Sequence, residues 1–386
     1  MAKLGDICDI LNGYAFKSEK YVSSGIRIIR ISNVQKGYIE DTAPAFYPID
    51  TPDIEKYILY EDDLLISLTG NVGRVALLKK DFLPAALNQR IACLRVKDGA
   101  PYDKSFLYCY LNSDFFENRC ILSAKGVAQK NMSTEWLKEY EIPNLSLEEQ
   151  KEIAIVLNEI SELINARKMQ LSKLDELVKS RFIEMFGDPV NNPMGWLKET
   201  LCNHLNVVGG YAFKSELFVE EGIPVLRIGN INAGFFQPIN MVYWKHDDNL
   251  SRYMMYAGDL VMSLTGTVGK DDYGNVCILG DDYDCYYLNQ RNAKLELFKS
   301  LDKYYLSQIL KFSAIKKKLT GISRGVRQAN ISNKDILNLE IPIPPIELQN
   351  EFATFVEQTD KSKLAIKQSL EKLETLKKAL MQQYFG

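Results

Sequence analysis

The chain repeats itself, and the repeat governs every other reading. Gly13-Tyr14-Ala15-Phe16-Lys17-Ser18-Glu19 recurs unchanged at 210–216. Gly25-Ile26, Arg30-Ile31 and Asn33 recur as Gly222-Ile223, Arg227-Ile228 and Asn230. Ser67-Leu68-Thr69-Gly70 recurs at 263–266, and Leu87-Asn88-Gln89-Arg90 at 288–291. Gly126-Val127, Gln129, Asn131 and Ser133 recur as Gly325-Val326, Gln328, Asn330 and Ser332. Glu141-Ile142-Pro143 and Gln150 recur as Glu340-Ile341-Pro342 and Gln349. The order is constant, and the offset stays between 196 and 201 residues. A unit of that length is too long for a solenoid repeat and suits a domain. The chain is therefore a tandem duplication.

Each copy has two parts. Residues 1–145 and 188–345 read as mixed α/β domains. Ile26–Ser32 and Val225–Gly229 are short β-rich runs. Asp63–Leu68 and Asp259–Leu264 are near-continuous apolar runs that end in a glycine turn, and Arg74–Lys79 and Ile91–Val96 continue the strand pattern. Phe106–Leu122 and Tyr304–Leu319 read as helical. Residues 146–187 and 346–386 are helical regions. From Leu147 to Phe186 there is neither Gly nor Pro, and Gly187-Asp188-Pro189 supplies the stop. Such a helix is about 60 Å long.

Apolar residues along it alternate in steps of three and four: Ile153, Leu157, Ile160, Ile164, Leu171, Leu174, Val178 and Met185. The second helix, from Ile346 to Phe385, carries Phe352, Val356, Thr359, Ile366, Leu370, Leu373, Leu380 and Tyr384. This is a coiled-coil seam. Arg167 and Arg181 interrupt the first seam, and the equivalent positions of the second are Ile366 and Leu380; the second is interrupted at Lys363 and Lys377. The complementarity predicts that the helices pack against each other, most simply antiparallel. Two independent amphipathic helices, each on its own domain, is the alternative. The paired arrangement makes a caliper, matching half-sites one to two DNA turns apart at about 34 Å per turn.

Composition narrows the function. Hydrophobic residues make up 46% and charged residues 25%, an ordinary globular balance. The net charge is −3, so any nucleic-acid contact has to be local. No run of about 18 apolar residues predicts a membrane span, and the stretch Met1–Gly13 lacks the long apolar region and small-residue cleavage site expected of a signal peptide. The seven cysteines form no CxxC pair, and only two histidines exist. That pattern fits reduced thiols in a cytoplasm and leaves little for a metal site. No Asn-Pro-Pro-Tyr amino-methyltransferase motif, glycine-rich cofactor loop or P-loop is present. Pro52-Asp53-Ile54-Glu55-Lys56 loosely matches a nuclease start, but the second copy lacks it.

Several stretches resemble one family. They are Lys3-Leu4-Gly5-Asp6-Ile7, the two Gly-Tyr-Ala-Phe-Lys-Ser segments, Arg181-Phe182-Ile183-Glu184-Met185-Phe186-Gly187-Asp188-Pro189, Asn192-Pro193-Met194-Gly195-Trp196, and Gln383-Tyr384-Phe385-Gly386. In this order, and duplicated over the whole chain, they resemble the specificity subunits of Type I restriction-modification enzymes. The resemblance implies two target recognition domains, each followed by a helical region. It implies no active site of the chain's own. It implies double-stranded DNA with a bipartite target as ligand, the helix length acting as ruler. It also implies two methyltransferase subunits docked on the helices, through residues such as Ile153, Leu157, Ile160, Ile164, Leu171, Leu174, Phe352, Val356, Ile366, Leu370 and Leu373. Restriction subunits would join through them. S-adenosylmethionine, ATP and Mg²⁺ would be used by these partners.

The copies can be compared as two sequences. Shared residues suit scaffold or phosphate contacts, and divergent ones suit base reading, because phosphate contacts position and base contacts specify. Lys17 and Ser18, with Lys214 and Ser215, could bind phosphate, or cap a packed aromatic turn. Thr69 and Thr265 open glycine turns whose amides could meet phosphate or simply turn the chain. Gln89 and Arg90, with Gln290 and Arg291, have the side chains that pair with bases, although their identity in both copies favours backbone or structural roles. The basic, amide-rich loops with Lys125, Gln129, Lys130 and Asn131, and with Arg324, Arg327, Gln328 and Asn330, are the foremost candidates. A helix cap with incidental charge is the plainer reading. Segments Val34–Tyr60 and Ile231–Tyr256 diverge and are candidates for specific base contacts. The rival function is a two-headed coiled-coil scaffold that binds proteins and never touches DNA.

Overall fold

A computed structural model describes residues 1–52, 54–124, 131–267, 272–321 and 328–386, the side chain of Gln328 excepted. Two compact units emerge. Unit 1 comprises Met1–Lys168 with Gln368–Gly386, and unit 2 comprises Met169–Lys367. The division runs through both long helices.

Unit 1 contains strands β1 (Cys8–Asn12), β2 (Ile26–Ile29), β3 (Phe46–Tyr47), β4 (Ile58–Leu59), β5 (Leu64–Ser67), β6 (Val75–Leu77), β7 (Ala85–Leu87) and β8 (Ile91–Val96). Its helices are α1 (Lys104–Leu111), α2 (Asp114–Ser123), α3 (Thr134–Glu139) and the first part of α4 (Leu147–Phe186). One sheet has the order β1-β8-β5-β6, the other β3-β2-β7-β4. All pairings are antiparallel except β2 with β7, where Arg27 faces Ala85 and Ile29 faces Leu87.

Unit 2 repeats the plan. Strands β9 (Leu205–Gly209), β10 (Ile223–Leu226), β11 (Tyr243–Trp244), β12 (Met254–Met255), β13 (Leu260–Ser263), β14 (Val276–Ile278), β15 (Tyr286–Leu288) and β16 (Asn292–Leu297) form sheets β9-β16-β13-β14 and β11-β10-β15-β12. Again one pairing is parallel, β10 with β15. Helices α5 (Lys303–Leu310), α6 (Ser313–Thr320), α7 (Asn333–Leu337) and α8 (Ile346–Phe385) follow.

The near-continuous apolar runs find their reason here. All four residues of β5, and all four of β13, are buried. Alternate side chains of a strand point to opposite faces. Leu64 and Ile66 enter the core beneath the helices, whereas Leu65 enters the core between the sheets. In unit 2, Leu260 and Met262 face the helices and Val261 faces the second sheet. A strand buried on both faces cannot show polar alternation.

The helical stretches differ from the sequence reading in one respect. Each is two helices, broken at Asn112-Ser113 and at Lys311-Phe312. In unit 1 the break has a capping residue: the Ser113 hydroxyl accepts from Phe116 N, which starts α2.

Both long helices have the expected limits, at 40 residues each. In unit 1 the start of α4 and the end of α8 run antiparallel: Lys168 meets Glu374 at 3.0 Å, while Leu157 and Phe385 share a core. In unit 2 the directions are again opposed, with Lys363 to Asp175 at 2.7 Å and Arg181 to Glu351 at 3.1 Å. Leu157, Ile160, Ile164, Phe352 and Val356 are buried, and Ile153, Leu171, Leu174, Ile366, Leu370 and Leu373 are half-buried. Among the described residues, no helix is long and apolar enough to cross a membrane.

The repeated glutamine is a structural lock. Gln150 is fully buried; its Oε1 accepts from Asp103 N, and its Nε2 donates to Pro101 O and Leu145 O. Gln349 does the same with Asp302 N, Ser300 O and Pro344 O. Each ties the first turn of a long helix to the cap of α1 or α5. Removing the amide leaves three backbone groups without this partner, the Pro344 carbonyl among them buried, so Gln349→Ala should destabilise the chain by about 1–3 kcal/mol in denaturant unfolding. A loss under half a kcal/mol would mean that water replaces it.

Candidate nucleic-acid interface

The repeated motifs, far apart in sequence, form one hydrogen-bonded row on each unit. In unit 1, Tyr14 N donates to Leu87 O (2.8 Å), and Gln89 N donates back to Tyr14 O (3.0 Å). Leu68 N donates to Arg90 O (3.0 Å), and Met132 N donates to Leu68 O (2.8 Å). Thr69 bridges Asn131 antiparallel. In unit 2, Tyr211 N donates to Leu288 O (2.9 Å), Gln290 N to Tyr211 O (2.9 Å), Leu264 N to Arg291 O (2.8 Å) and Ile331 N to Leu264 O (2.8 Å). Thr265 pairs with Asn330. The row is main chain to main chain, so it holds the backbone and leaves the side chains outside it.

Part of each motif is scaffold. Phe16 and Phe213 are buried on the outer faces of β2-β7 and β10-β15. Tyr14 meets Phe16 edge-on at 5.0 Å and 74°, and Tyr211 meets Phe213 at the same values. Gly13 has to be glycine, because a Cβ there would lie 2.0 Å from Asn88 O, and at Gly210 it would lie 2.1 Å from Asn289 O.

The other part faces water. Lys17, Ser18, Gln89, Arg90 and Asn131 are exposed, as are Lys214, Ser215, Gln290, Arg291 and Asn330; Thr69 and Thr265 are half-buried. Among the described residues, Lys17, Arg90, Lys214 and Arg291 have no carboxylate partner. The arginines of the framework behave otherwise: Arg95 binds Asp63 (2.6 Å), and Arg27 pairs with Asp41. Exposed cations without a carboxylate partner leave their charge available to an anion. Lys125, Gln129, Lys130, Arg324 and Arg327 lie outside the described residues, as does the Gln328 side chain; Gln328 contributes its backbone to the strand that pairs with 265–267.

The two units share a second device, built on Arg30 and Asn33 and on Arg227 and Asn230. Arg30 N donates to Asn33 Oδ1 (2.8 Å), Asn33 Nδ2 to Glu40 O (2.8 Å), and Arg30 Nη2 reaches Ala43 O. Arg227, Asn230, Gln237 and Asn240 reproduce it. These pairs clamp the first turn of each divergent segment. In unit 2, Arg227 then lines a cleft of about 460 Å³ together with Phe213, Asn240, Asn289, Gln290 and Arg291. Amide and guanidinium groups that converge on one opening have donor geometry suited to phosphates and base edges.

Burial pushes the thiols of Cys8 and Cys277 up to about 12, and that of Cys109 to about 11, so they stay protonated near neutrality. His204 is buried between Ser300 Oγ (2.8 Å) and Glu199 Oε2 (3.3 Å), and His246 is exposed. No group of three or more potential metal ligands occurs among the described residues.

The Type I restriction modification DNA specificity domain matches residues 1–174 and again 199–377. The specificity subunit of the Type I restriction enzyme MjaVIII of Methanocaldococcus jannaschii is 26% identical over 367 residues, covering 89% of this chain and 82% of that one. The EcoBI specificity subunit of Escherichia coli is 22% identical, covering 92% and 78%. The crystal structure of the S subunit of a Type I restriction-modification system from M. genitalium covers 100% of this chain and 95% of that one, with a TM-score of 0.61 at 18% identity. The two matched copies define a DNA sequence-recognition protein with duplicated domains. The chain belongs to the Type I restriction-modification DNA specificity family.

Gly210→Ala tests the row itself. The forced contact with Asn289 O should cost about 1–3 kcal/mol and separate 211–216 from 289–291. Hydrogen exchange at Gln290 N and Tyr211 N should then rise; unchanged protection would show that the row does not depend on the glycine.

Proposed function

We propose that each unit reads one half of a bipartite target in double-stranded DNA, and that the chain itself catalyses nothing. The observation that carries this reading is the duplicated backbone row with unpaired cations: the same phosphate-positioning frame offered twice, with different side chains between. Lys17, Ser18, Thr69, Arg90 and Asn131, with Lys214, Ser215, Thr265, Arg291 and Asn330, would hold the backbone of DNA. Gln89 and Gln290 would lie beside them, and Lys125, Gln129, Lys130, Arg324, Arg327 and Gln328 are proposed as further DNA contacts. The clamped segments that begin at Val34 and Ile231 would reach bases.

The long helices would set the spacing and dock two methyltransferase subunits. Their outward apolar side chains, Ile155, Leu163, Met169, Leu177, Leu364 and Leu376, are exposed, which supports a protein partner there. S-adenosylmethionine would be bound by the methyltransferase subunits, and ATP and Mg²⁺ by restriction subunits that join through them. A coiled-coil scaffold without DNA is the competing reading, and the unpaired cations of both rows speak against it.

Two experiments test the proposal. Lys17→Gln and Arg291→Gln should weaken binding to all duplexes alike, each lowering the slope of log affinity against log salt by about one. Unaltered slopes would remove those residues from the interface. Co-expression with a methyltransferase partner, followed by single-molecule sequencing of host DNA, should reveal adenine methylation at one split motif. That motif should vanish when this gene is deleted, and methylation without it would overturn the specificity role.

A further inference from the structure

Unit 2 contains a second opening, unrelated to the motif row. A cleft of about 930 Å³ lies between α5-α6 and the segments of α4 and α8 in that unit. Lys179, Lys311, Lys316, Lys363 and Lys367 line it. Its lining carboxylates are Asp175 and Asp360, against five lysines, of which Lys316 is already engaged.

Both carboxylates are already engaged. Lys363 Nζ lies 2.7 Å from Asp175 Oδ1 and 3.4 Å from Asp360 Oδ1. Lys316 Nζ donates to Asn275 Oδ1 at 2.7 Å. Lys367 and Lys179 lie over the rings of Phe235 and Phe312, at 5.2 and 5.9 Å, contacts that leave the charge in place. Lys311 has no acceptor among the described residues, although solvent reaches it. Burial of the amine and the charge of Lys363 hold its pKa below the ordinary lysine value, against the pull of Asp360 and Asp175. The cleft is short of negative charge.

Unit 1 provides an internal comparison. At the positions equivalent to Lys311, Ser313 and Lys316 it has Asn112, Asp114 and Glu117. There Asp114 and Glu117 close on Lys36 at 2.5 and 2.6 Å, and Glu374 closes on Lys168 at 3.0 Å. In that copy three carboxylates stand among Lys36, Lys168 and Lys377, whereas the unit 2 cleft sets five lysines against two carboxylates. An internal structural role would call for the former pattern. The latter leaves counter-charge to be supplied from outside.

We propose that the unit 2 cleft is a phosphate-binding site, in which Lys311, Lys363 and Lys367 hold the oxygens of a polyphosphate-bearing small anion or of a nucleic-acid backbone. Compact ammonium groups on flexible stems suit several phosphate oxygens at once. The site goes beyond the reading of target DNA, and its free-anion arm needs no DNA recognition.

Competitive lysine acetylation of the full chain, read by mass spectrometry at constant ionic strength, tests it with sodium tripolyphosphate and with a duplex of arbitrary sequence. At ten times the dissociation constant the site is about nine-tenths filled, so Lys311 labelling should slow about tenfold. Lys104, exposed and outside both the cleft and the motif row, serves as the unaffected control. Protection by tripolyphosphate alone assigns a free anion, and protection by the duplex as well assigns nucleic-acid phosphates. Lys311→Gln should lower tripolyphosphate affinity by calorimetry without lowering the melting temperature, since Lys311 makes no ion pair among the described residues. Equal labelling of Lys311 with and without both probes would overturn the proposal.

Discussion

Phe182 and Phe186 belong to the first repeat by sequence, yet they are buried in the core of unit 2. Phe182 stacks on Tyr305 at 5.4 Å and meets Phe352 edge-on at 5.5 Å; Phe186 meets Tyr305 at 4.8 Å. Unit 1 is closed in the same manner by Phe385, the penultimate residue of the chain, against Phe106 and Tyr110 at 5.8 and 5.2 Å. Each buried aromatic side chain contributes about 1.5–3 kcal/mol. A domain's net stability is only about 5–15 kcal/mol, so neither repeat can fill its core without the helix of the other. This exchange explains why each helix runs unbroken for 40 residues. A glycine or proline in the middle would release the aromatic end that seals the neighbouring core.

A frame closed in this way can afford a site made of loops. The motif row uses main-chain donors and acceptors, which every residue except proline supplies. Its register is fixed by a few positions: Gly13 and Gly210, where a Cβ has no room, and the buried Phe16 and Phe213. The side chains that face water, such as Lys17, Gln89 and Arg90, play no part in holding the row together. They can serve binding without compromise in stability.

The sequence disclosed the large divisions because they rest on periodicity and punctuation. The helix limits at Leu147, Phe186, Ile346 and Phe385, the buried strand Leu64–Ser67 and the strand Ile91–Val96 were all legible. The seam was legible at Leu157 and Phe352. It was incomplete at the helix ends: Met185 packs against the core as read, but the fully buried Phe182 and Phe186 beside it were not in the seam. A heptad count assumes a helix partner, and there the partner is the core of a domain. The breaks before α2 and α6 were missed because two amphipathic helices in succession have the same average pattern as one. Within the site, repetition marked the residues but could not assign their work. Phe16 and Lys17 are equally invariant between copies, and only burial separates framework from surface. The Arg30–Asn33 clamp was visible as repeated letters, without the loop carbonyls that give it meaning.

The comparison of the two copies is therefore most informative where the backbone agrees and the charge does not. Hydrogen-bond order, sheet order and the glutamine locks coincide in both units, so the fold itself places no demand on the charge at 112, 114 and 117 or at 311, 313 and 316. A pair such as Lys36 with Asp114 and Glu117 satisfies itself. Lys311 is left without an acceptor among the described residues, in a cleft whose carboxylates are spent on Lys363. Lys311 is exposed to that opening, so an external anion can reach it. A net charge of −3 for the whole chain conceals this contrast, because electrostatic function depends on which charges face one another and not on their sum.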